Sequence, residues 1–408
     1  MFDSLKNHPY TLLARSRNFR LFWLAQLISP LGDRLNQVAL IVMVYASSGS
    51  AFLTAATFAT TFLPNLILGP IAGVYVDRFP RIRVMVASDL IRAVLVLSIP
   101  LIINFSVILV LPIVFAVATA GVFFKPARSA LVLDVVEKDQ LTPANSACWV
   151  ADVLSDFIGY PLAGVLVVAL GPLIGLVFIL DSLSYLVSAF LLLRLRLVNL
   201  PPMVAKTKNR VLTDLREGWR ALRHNPSMLD NTILCALGEI SIGMSLALGL
   251  IYAHELPNWL LGYPANYAII QTTIAVGVLC STLIAGHFKG FSGGRILAGF
   301  ALMGASFIAY GLANNIVLAI ITAFGCGLTN MLWLVPTQTM TLERVDRDLL
   351  GRVMSIRTAI VFGTLSLGMF IGAALSDFIN AGLIIAAAGV LTLVVTALGA
   401  LRPALRNP

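Results

Sequence analysis

Six acidic side chains lie in stretches otherwise too apolar to welcome them: Asp33, Asp89, Asp152, Asp156, Asp181 and Glu239. An ionised carboxylate at the centre of a membrane helix costs roughly 2.5 to 3.5 kcal/mol on insertion scales, so each must be paired, protonated or wetted. Groups held this way can carry protons or attract cations. Spacing separates them. Asp33 shares a stripe with Gln26, Ser29 and Gln37, three or four residues apart, so one helix face would turn four polar groups toward a central cavity. Trp149, Asp152, Asp156 and Tyr160 form a second stripe, whose two carboxylates, four residues apart, are close enough to titrate as a pair. Glu239, with Cys235 and Gly243, adds an acid from the far half of the chain. For Asp33, Asp152, Asp156 and Glu239, proton coupling and structural pairing both stay open. Arg34 has no acid three or four residues away and needs one from another helix. Asp89 and Arg92, three apart, suit an intrahelical ion pair, and Asp181, among the hydroxyls of DSLSYL, suits a structural role.

The elements that must position these groups follow from composition. Of 408 residues 59% are hydrophobic and only 12% charged, against about a quarter charged in soluble domains. A bilayer span needs about 20 apolar residues. Twelve such stretches are expected, near 18–46, 52–76, 84–104, 106–124, 146–169, 173–195, 228–253, 265–286, 294–313, 315–335, 355–377 and 380–401. The net charge of +9 is a matter of topology. All Lys and Arg except Arg34 and Arg92 fall on one side of the membrane or within a turn of a helix end there, while the opposite loops have none. That basic side is cytosolic by the positive-inside rule, which puts both termini in the cytosol. No nucleic-acid partner is implied. The first 17 residues lack the pattern of a removable signal peptide, so the first span is expected to act as the export signal.

The longest connection, 196–227, is also the most polar, and it divides the expected fold into a bundle of six helices at 1–195, a cytosolic linker, and a second bundle at 228–408. Within the linker, Leu215, Trp219 and Leu222 share one face and Arg216, Arg220 and Arg223 another, as on a helix lying along the membrane surface. The halves share a trace. Pro126 followed by DVVEKDQL (Asp134 to Leu141) matches Pro336 followed by ERVDRDLL (Glu343 to Leu350), with Val136 and Val345, Asp139 and Asp348, and Leu141 and Leu350 identical at one offset. Repeated halves with a mid-membrane site between them are common in secondary transporters. The expected class is all-α, with twelve spans in two pseudo-symmetric six-helix bundles.

Between the second and third spans stands GVYVDRFPRIR, Gly73 to Arg83. It resembles the signature loop of the major facilitator superfamily, with Gly73, Asp77, Arg78 and Arg81 matching, Pro80 where the pattern prefers Gly, and Ile82 where it prefers a base. The segments NFRLFWLAQLISPLGD (from Asn18), DLIRAVLVL (from Asp89), FFKPARSALVLDVVEKDQLTPANS (from Phe123), DSLSYLVSA (from Asp181) and LLGRVMS (from Leu349) are similar to the drug and siderophore exporters of that superfamily, which include macrolide efflux pumps and enterobactin exporters. GYPLAG, Gly159 to Gly164, looks like a weakened Gly-Pro motif of the family's antiporters, and equally suits ordinary helix packing. The resemblance implies that Asp77 latches against the start of the eleventh helix, an anion at a helix N-terminus being worth roughly 0.3 to 1 kcal/mol. GHFKGFSGGR, the equivalent loop in the second half, has no acid, so one latch is expected.

With that resemblance, the expected activity is proton-coupled export of amphipathic or cationic organic solutes. Asp33, Asp152, Asp156 and Glu239 are candidates for the proton. The expected cavity lining is Gln26, Arg34, Gln37, Phe58, Phe62, Asn65, Trp149, Tyr160, Gln271, Asn330, Met331 and Trp333, since aromatic and thioether walls suit a tolerant pocket. A siderophore or lysophospholipid cargo is the alternative within the fold, with Arg34 and Arg92 available to an acidic ligand; a non-transporting receptor is the alternative outside it. Four isolated cysteines (148, 235, 280 and 326) and four peripheral histidines (8, 224, 254 and 287) argue against a disulfide framework and a metal site. GGR after Ser292 lacks the phosphate-cradling ending of a P-loop, so the energy source is expected to be the proton gradient, with no cofactor. No nucleophile, base and orienting group fall together, so an enzyme is not expected. Small organic solutes, protons and lipid are the expected partners of a monomer in the inner (plasma) membrane.

Overall fold

Hydrocarbon offers no partner to a backbone N–H or C=O, so an apolar chain in a bilayer closes its hydrogen bonds within helices. A computed structural model describes residues 16–76, 79–137, 140–195, 211–257, 265–285, 292–345 and 347–403, and among these there is no strand. The helices are α1 (Arg17–Ser48), α2 (Ala51–Thr60), α3 (Leu63–Val76), α4 (Arg81–Ile102), α5 (Val110–Val135), α6 (Leu141–Leu170), α7 (Leu176–Leu193), α8 (Val211–His224), α9 (Pro226–Glu255), α10 (Ala265–Ala285), α11 (Gly293–Gly311), α12 (Ile316–Arg344), α13 (Arg347–Leu375) and α14 (Ala381–Ala400). They provide twelve segments long and apolar enough to cross a membrane, as expected from composition.

Local chemistry sets the ends. Ser50, Asn225, Ser292, Asn315 and Asn380 each accept a backbone N–H in the first turn of α2, α9, α11, α12 and α14. The second span is broken between α2 and α3, where Pro64 has no N–H to offer Thr60. Short-range bonds fill the gap: Thr61 N–H and Oγ1–H both reach the Phe58 carbonyl, at 3.1 and 2.7 Å. In α1, Pro30 likewise deprives the Gln26 carbonyl of its usual donor, yet the helix continues.

The chain packs as two compact units, one of residues 1–40 and 71–208 and the other of 41–70 and 209–408. Packing therefore groups 41–70 with the second unit, whereas the division by spans drew its line only at 196–227. In unit 1, α4 packs on α5 and α7. Gly32 of α1 is the close approach there, because a Cβ would collide with Asp181 and Ser184 of α7. In unit 2 the closest pairs are α9 with α13, α10 with α12, and α11 with α14. The repeat trace falls at equivalent places: Pro126 and Pro336 lie inside α5 and α12, while Leu141 and Arg347 open α6 and α13. The linker helix is present as α8, but it packs on α13 in unit 2. Leu222 is buried, the Gly218 face meets the Arg352 backbone, and Glu217 pairs with Arg352 at 2.5 Å.

Small residues let membrane helices touch backbone to backbone. A Cβ on Gly243 of α9 would land on the Leu365 carbonyl and the Met369 amide of α13, which cannot move aside as a side-chain tip would. Gly243→Ala should therefore cost about 1 to 3 kcal/mol, read as a lower midpoint in thermal unfolding of the detergent-solubilised protein. Gly121→Ala, where nothing lies within 4 Å, should leave that midpoint unchanged.

Candidate functional site

Unit 1 holds the densest polar chemistry of the apolar segments. Away from the span ends it gathers the acids Asp33, Asp89, Asp152, Asp156 and Asp181 and the cations Arg34, Arg92, Lys125 and Arg128. Three acids have their own cation. Asp156 of α6 binds the Nε–H of Arg34 on α1, which supplies the interhelical acid that Arg34 required. Asp152, one turn earlier, receives a fork from Arg128 of α5, Nη1 to Oδ1 at 2.9 Å and Nη2 to Oδ2 at 2.6 Å. Asp89 pairs with Arg92 at 2.5 Å within α4, as the spacing of three anticipated, and its other oxygen has no hydrogen bond among the described residues. The helix-six carboxylates thus point to separate arginines on separate helices.

Asp33 and Asp181 are bound differently. Asp33 accepts a hydrogen bond from the Tyr185 hydroxyl of α7 and lies 3.9 Å from Arg92, whose nearer acid is Asp89. Its side chain is 37% exposed. Asp181 is fully buried, touches Asn36 and Ser184, and among the described residues has no cation within 4.0 Å. Arg92 stacks on Phe124 and Tyr185, with 4.7 and 4.4 Å to the ring centroids. Gln37 accepts from Arg34 at 3.4 Å and from Tyr160 at 3.3 Å. Lys125 stands within electrostatic reach of Asp33 and Asp152.

Several residues escaped the sequence reading. Lys125 and Arg128 had been placed at a helix end, on a span closing at 124, but α5 runs on to Val135 and carries both inside. Tyr185 follows Asp181 by four residues, and that spacing was the available signal. The expected polar stripe of α1 divides: Gln37 joins the network, whereas Gln26 is fully buried with neither amide atom bonded and Ser29 is 2% exposed. Trp149 is 69% exposed. Of the expected latch, Asp77 and Arg78 lie outside the described residues, as does the side-chain environment of Gly73. Arg81 gives its Nη1 to Asp134 at 2.7 Å and to the Ala130 carbonyl at 2.8 Å, both on α5.

In unit 2, Glu239 is half-buried and has no hydrogen bond or ion pair among the described residues. Arg357 of α13 is 7% exposed and, among the described residues, donates to neutral groups: Thr341 Oγ1 at 2.6 Å, Asn231 Oδ1 at 2.8 Å and Met228 Sδ at 4.0 Å. A cavity of about 130 Å³ opens between α9, α10, α11 and α12, with Gln271 and Asn330 on its wall. Phe58 is buried and meets Phe62 edge-on at 5.6 Å, Asn65 is half-buried, and Trp333 packs on Phe300 with its indole N–H unbonded.

Comparison with known proteins agrees with this architecture. Residues 22–363 match the model of the Major Facilitator Superfamily. Macrolide efflux protein A of Streptococcus pyogenes is 23% identical over 369 residues, covering 89% of this chain and 90% of its own length. The putative bacilysin exporter BacE of Bacillus amyloliquefaciens is 24% identical over 386 residues, covering 90% of each. Among solved structures, a bacterial homologue of the human lysosomal transporter Spinster superposes with a TM-score of 0.73 at 15% identity, over 96% of this chain and 98% of that one. With its twelve membrane helices in repeated halves, the chain is a member of the Major Facilitator Superfamily.

Proposed function

We propose that this transporter exports amphipathic or cationic organic solutes across the plasma membrane in exchange for protons, by alternating access, as a monomer with both termini on the basic, cytosolic side. The observation that carries the reading is Asp33. It combines an exposed side chain with the lack, among the described residues, of a cation held to it alone, because Arg92 is held closer by Asp89. A carboxylate so placed can gain and lose a proton without breaking a tight ion pair. Asp152 and Asp156 are less suited, each being tied to an arginine. Outward direction is supported by the names of the two relatives, an efflux protein and a putative exporter.

A second reading is an acidic cargo, for which Arg34 and Arg92 are poorly placed because both already pair with acids. Arg357, with neutral partners alone, is now the observation in its favour.

In proteoliposomes, Asp33→Asn should abolish transport driven by a pH gradient, while exchange of labelled substrate at equal pH survives, since asparagine keeps the shape of the neutral acid but releases no proton. Asp89→Asn should instead lower thermal stability by roughly 3 kcal/mol, the low end for a broken buried pair because Asp33 remains near Arg92. Loss of coupling at Asp89 with mere instability at Asp33 would move the proton site to α4. Asp77→Asn should leave equilibrium binding within about twofold and slow turnover, because a latch biases conformers without touching the solute. Binding loss without a shift in conformer balance, read by distance probes, would remove the latch. A cysteine at Ser48, in a variant free of native cysteines, should react with an impermeant thiol reagent added outside cells, and one at Lys208 should not.

A further inference from the structure

The cavity in unit 2 has a composition that selects what enters it. Ile242 and Leu246 of α9, Ile274 of α10 and Phe307 of α11 make most of the wall apolar. Engineered cavities of about 150 Å³ with such walls admit one benzene ring, so about 130 Å³ accommodates a single ring or a branched alkyl group of that size. Two amides, with Ser245 and Tyr310, break the apolar lining. Gln271 spends its Nε2–H on the Tyr267 hydroxyl at 2.9 Å, and Asn330 has no hydrogen bond among the described residues. Unused amide capacity on an otherwise apolar wall orients a ring that carries a hydroxyl or carbonyl group.

The same helix face continues to a charge. Glu239, Ile242, Leu246 and Gly249 follow one another at three or four residues, so they line one face of α9. Glu239 lies about 4.5 Å along the axis from Ile242. Its carboxylate has no counter-charge among the described residues. A charge buried without a partner is costly, and a ligand that brings the missing cation offsets that cost.

We propose that the cavity and Glu239 form one binding site, contained in unit 2, for a compact ring-bearing amine. The ring fills the cavity, its polar substituent meets Gln271 and Asn330, and its ammonium group, two or three bonds from the ring, pairs with Glu239. The site deepens the export reading and rests on it for its biological use, since it names the part of a cationic amphiphile that unit 2 grips.

The test is equilibrium binding in lipid nanodiscs, by saturation-transfer NMR, with tyramine as the amine probe and 4-hydroxybenzyl alcohol as its neutral counterpart. Gly249 is the position to fill, because a Cβ there meets only ordinary contacts, Tyr267 at 3.4 Å and Gln271 at 3.8 Å. Gly249→Val should weaken both probes at least tenfold. Glu239→Gln should weaken tyramine at least tenfold and leave the alcohol within twofold. Ile242→Phe fills the same space from another position, and serves if Gly249→Val unfolds. Tyramine binding unchanged in the filled variant, or equal loss of both probes in Glu239→Gln, overturns the site. Export of ethidium under a pH gradient separates the two claims. Ethidium export without tyramine binding refutes the site and keeps the exporter; tyramine binding with the expected variant pattern, but no gradient-driven export of any cation, keeps the site and refutes the exporter.

Discussion

The fold of unit 1 depends on matching a guanidinium to carboxylates where water cannot do it. Arg92 is 6% exposed, and a cation so deep is tolerable only with acids at contact and aromatic faces around it. Asp89 supplies the contact, Asp33 a second and looser acid, and Phe124 and Tyr185 the faces. These residues come from α1, α4, α5 and α7, so a single charge fixes where four helices meet. The tyrosine is shared, since its hydroxyl also binds Asp33. Any change in the charge of Asp33 is therefore felt by a group that holds Arg92 in place.

Unit 2 is assembled on another principle. Its tightest helix pairs meet through glycine, as at Gly243 and Gly368 between α9 and α13, and among the described residues few ion pairs cross between its helices. Its two deep charges, Glu239 and Arg357, are not joined to each other: Arg357 spends its donors on Thr341 and Asn231, and Glu239 keeps no partner among the described residues. In unit 1 charges cement the helices, whereas in unit 2 close packing does that work and leaves an acid free to meet a ligand. The repeat trace is thus a record of shared backbone, while the chemistry of the halves has diverged.

Much of this was legible from residues alone, for physical reasons. Span number follows from bilayer thickness, and the Asp89–Arg92 pair from helical spacing. Arg34 could be seen to need an acid from elsewhere, yet which acid is a fact of tertiary packing, so Asp156 could not be singled out. Lys125, Arg128 and Arg357 were misplaced because apolar periodicity blurs helix ends, and a charge near an expected end reads as solvated. Periodicity also put Gln26 and Asp33 on one face without revealing that the neighbouring helices cover that face at Gln26 and leave it open at Asp33. Of the cavity only Gln271 and Asn330 were legible as lining, since four helices from separate parts of the chain enclose it.

Pro30 and Gln26 have a mechanical consequence. The proline leaves the Gln26 carbonyl without its helical donor, and the Gln26 side chain, though buried, bonds to nothing among the described residues. Over that turn α1 lacks one of its backbone hydrogen bonds. The next turn carries Asp33. A rod that lacks one of its internal ties is most compliant at that turn, so the softest point of the first helix lies one turn from its charged group.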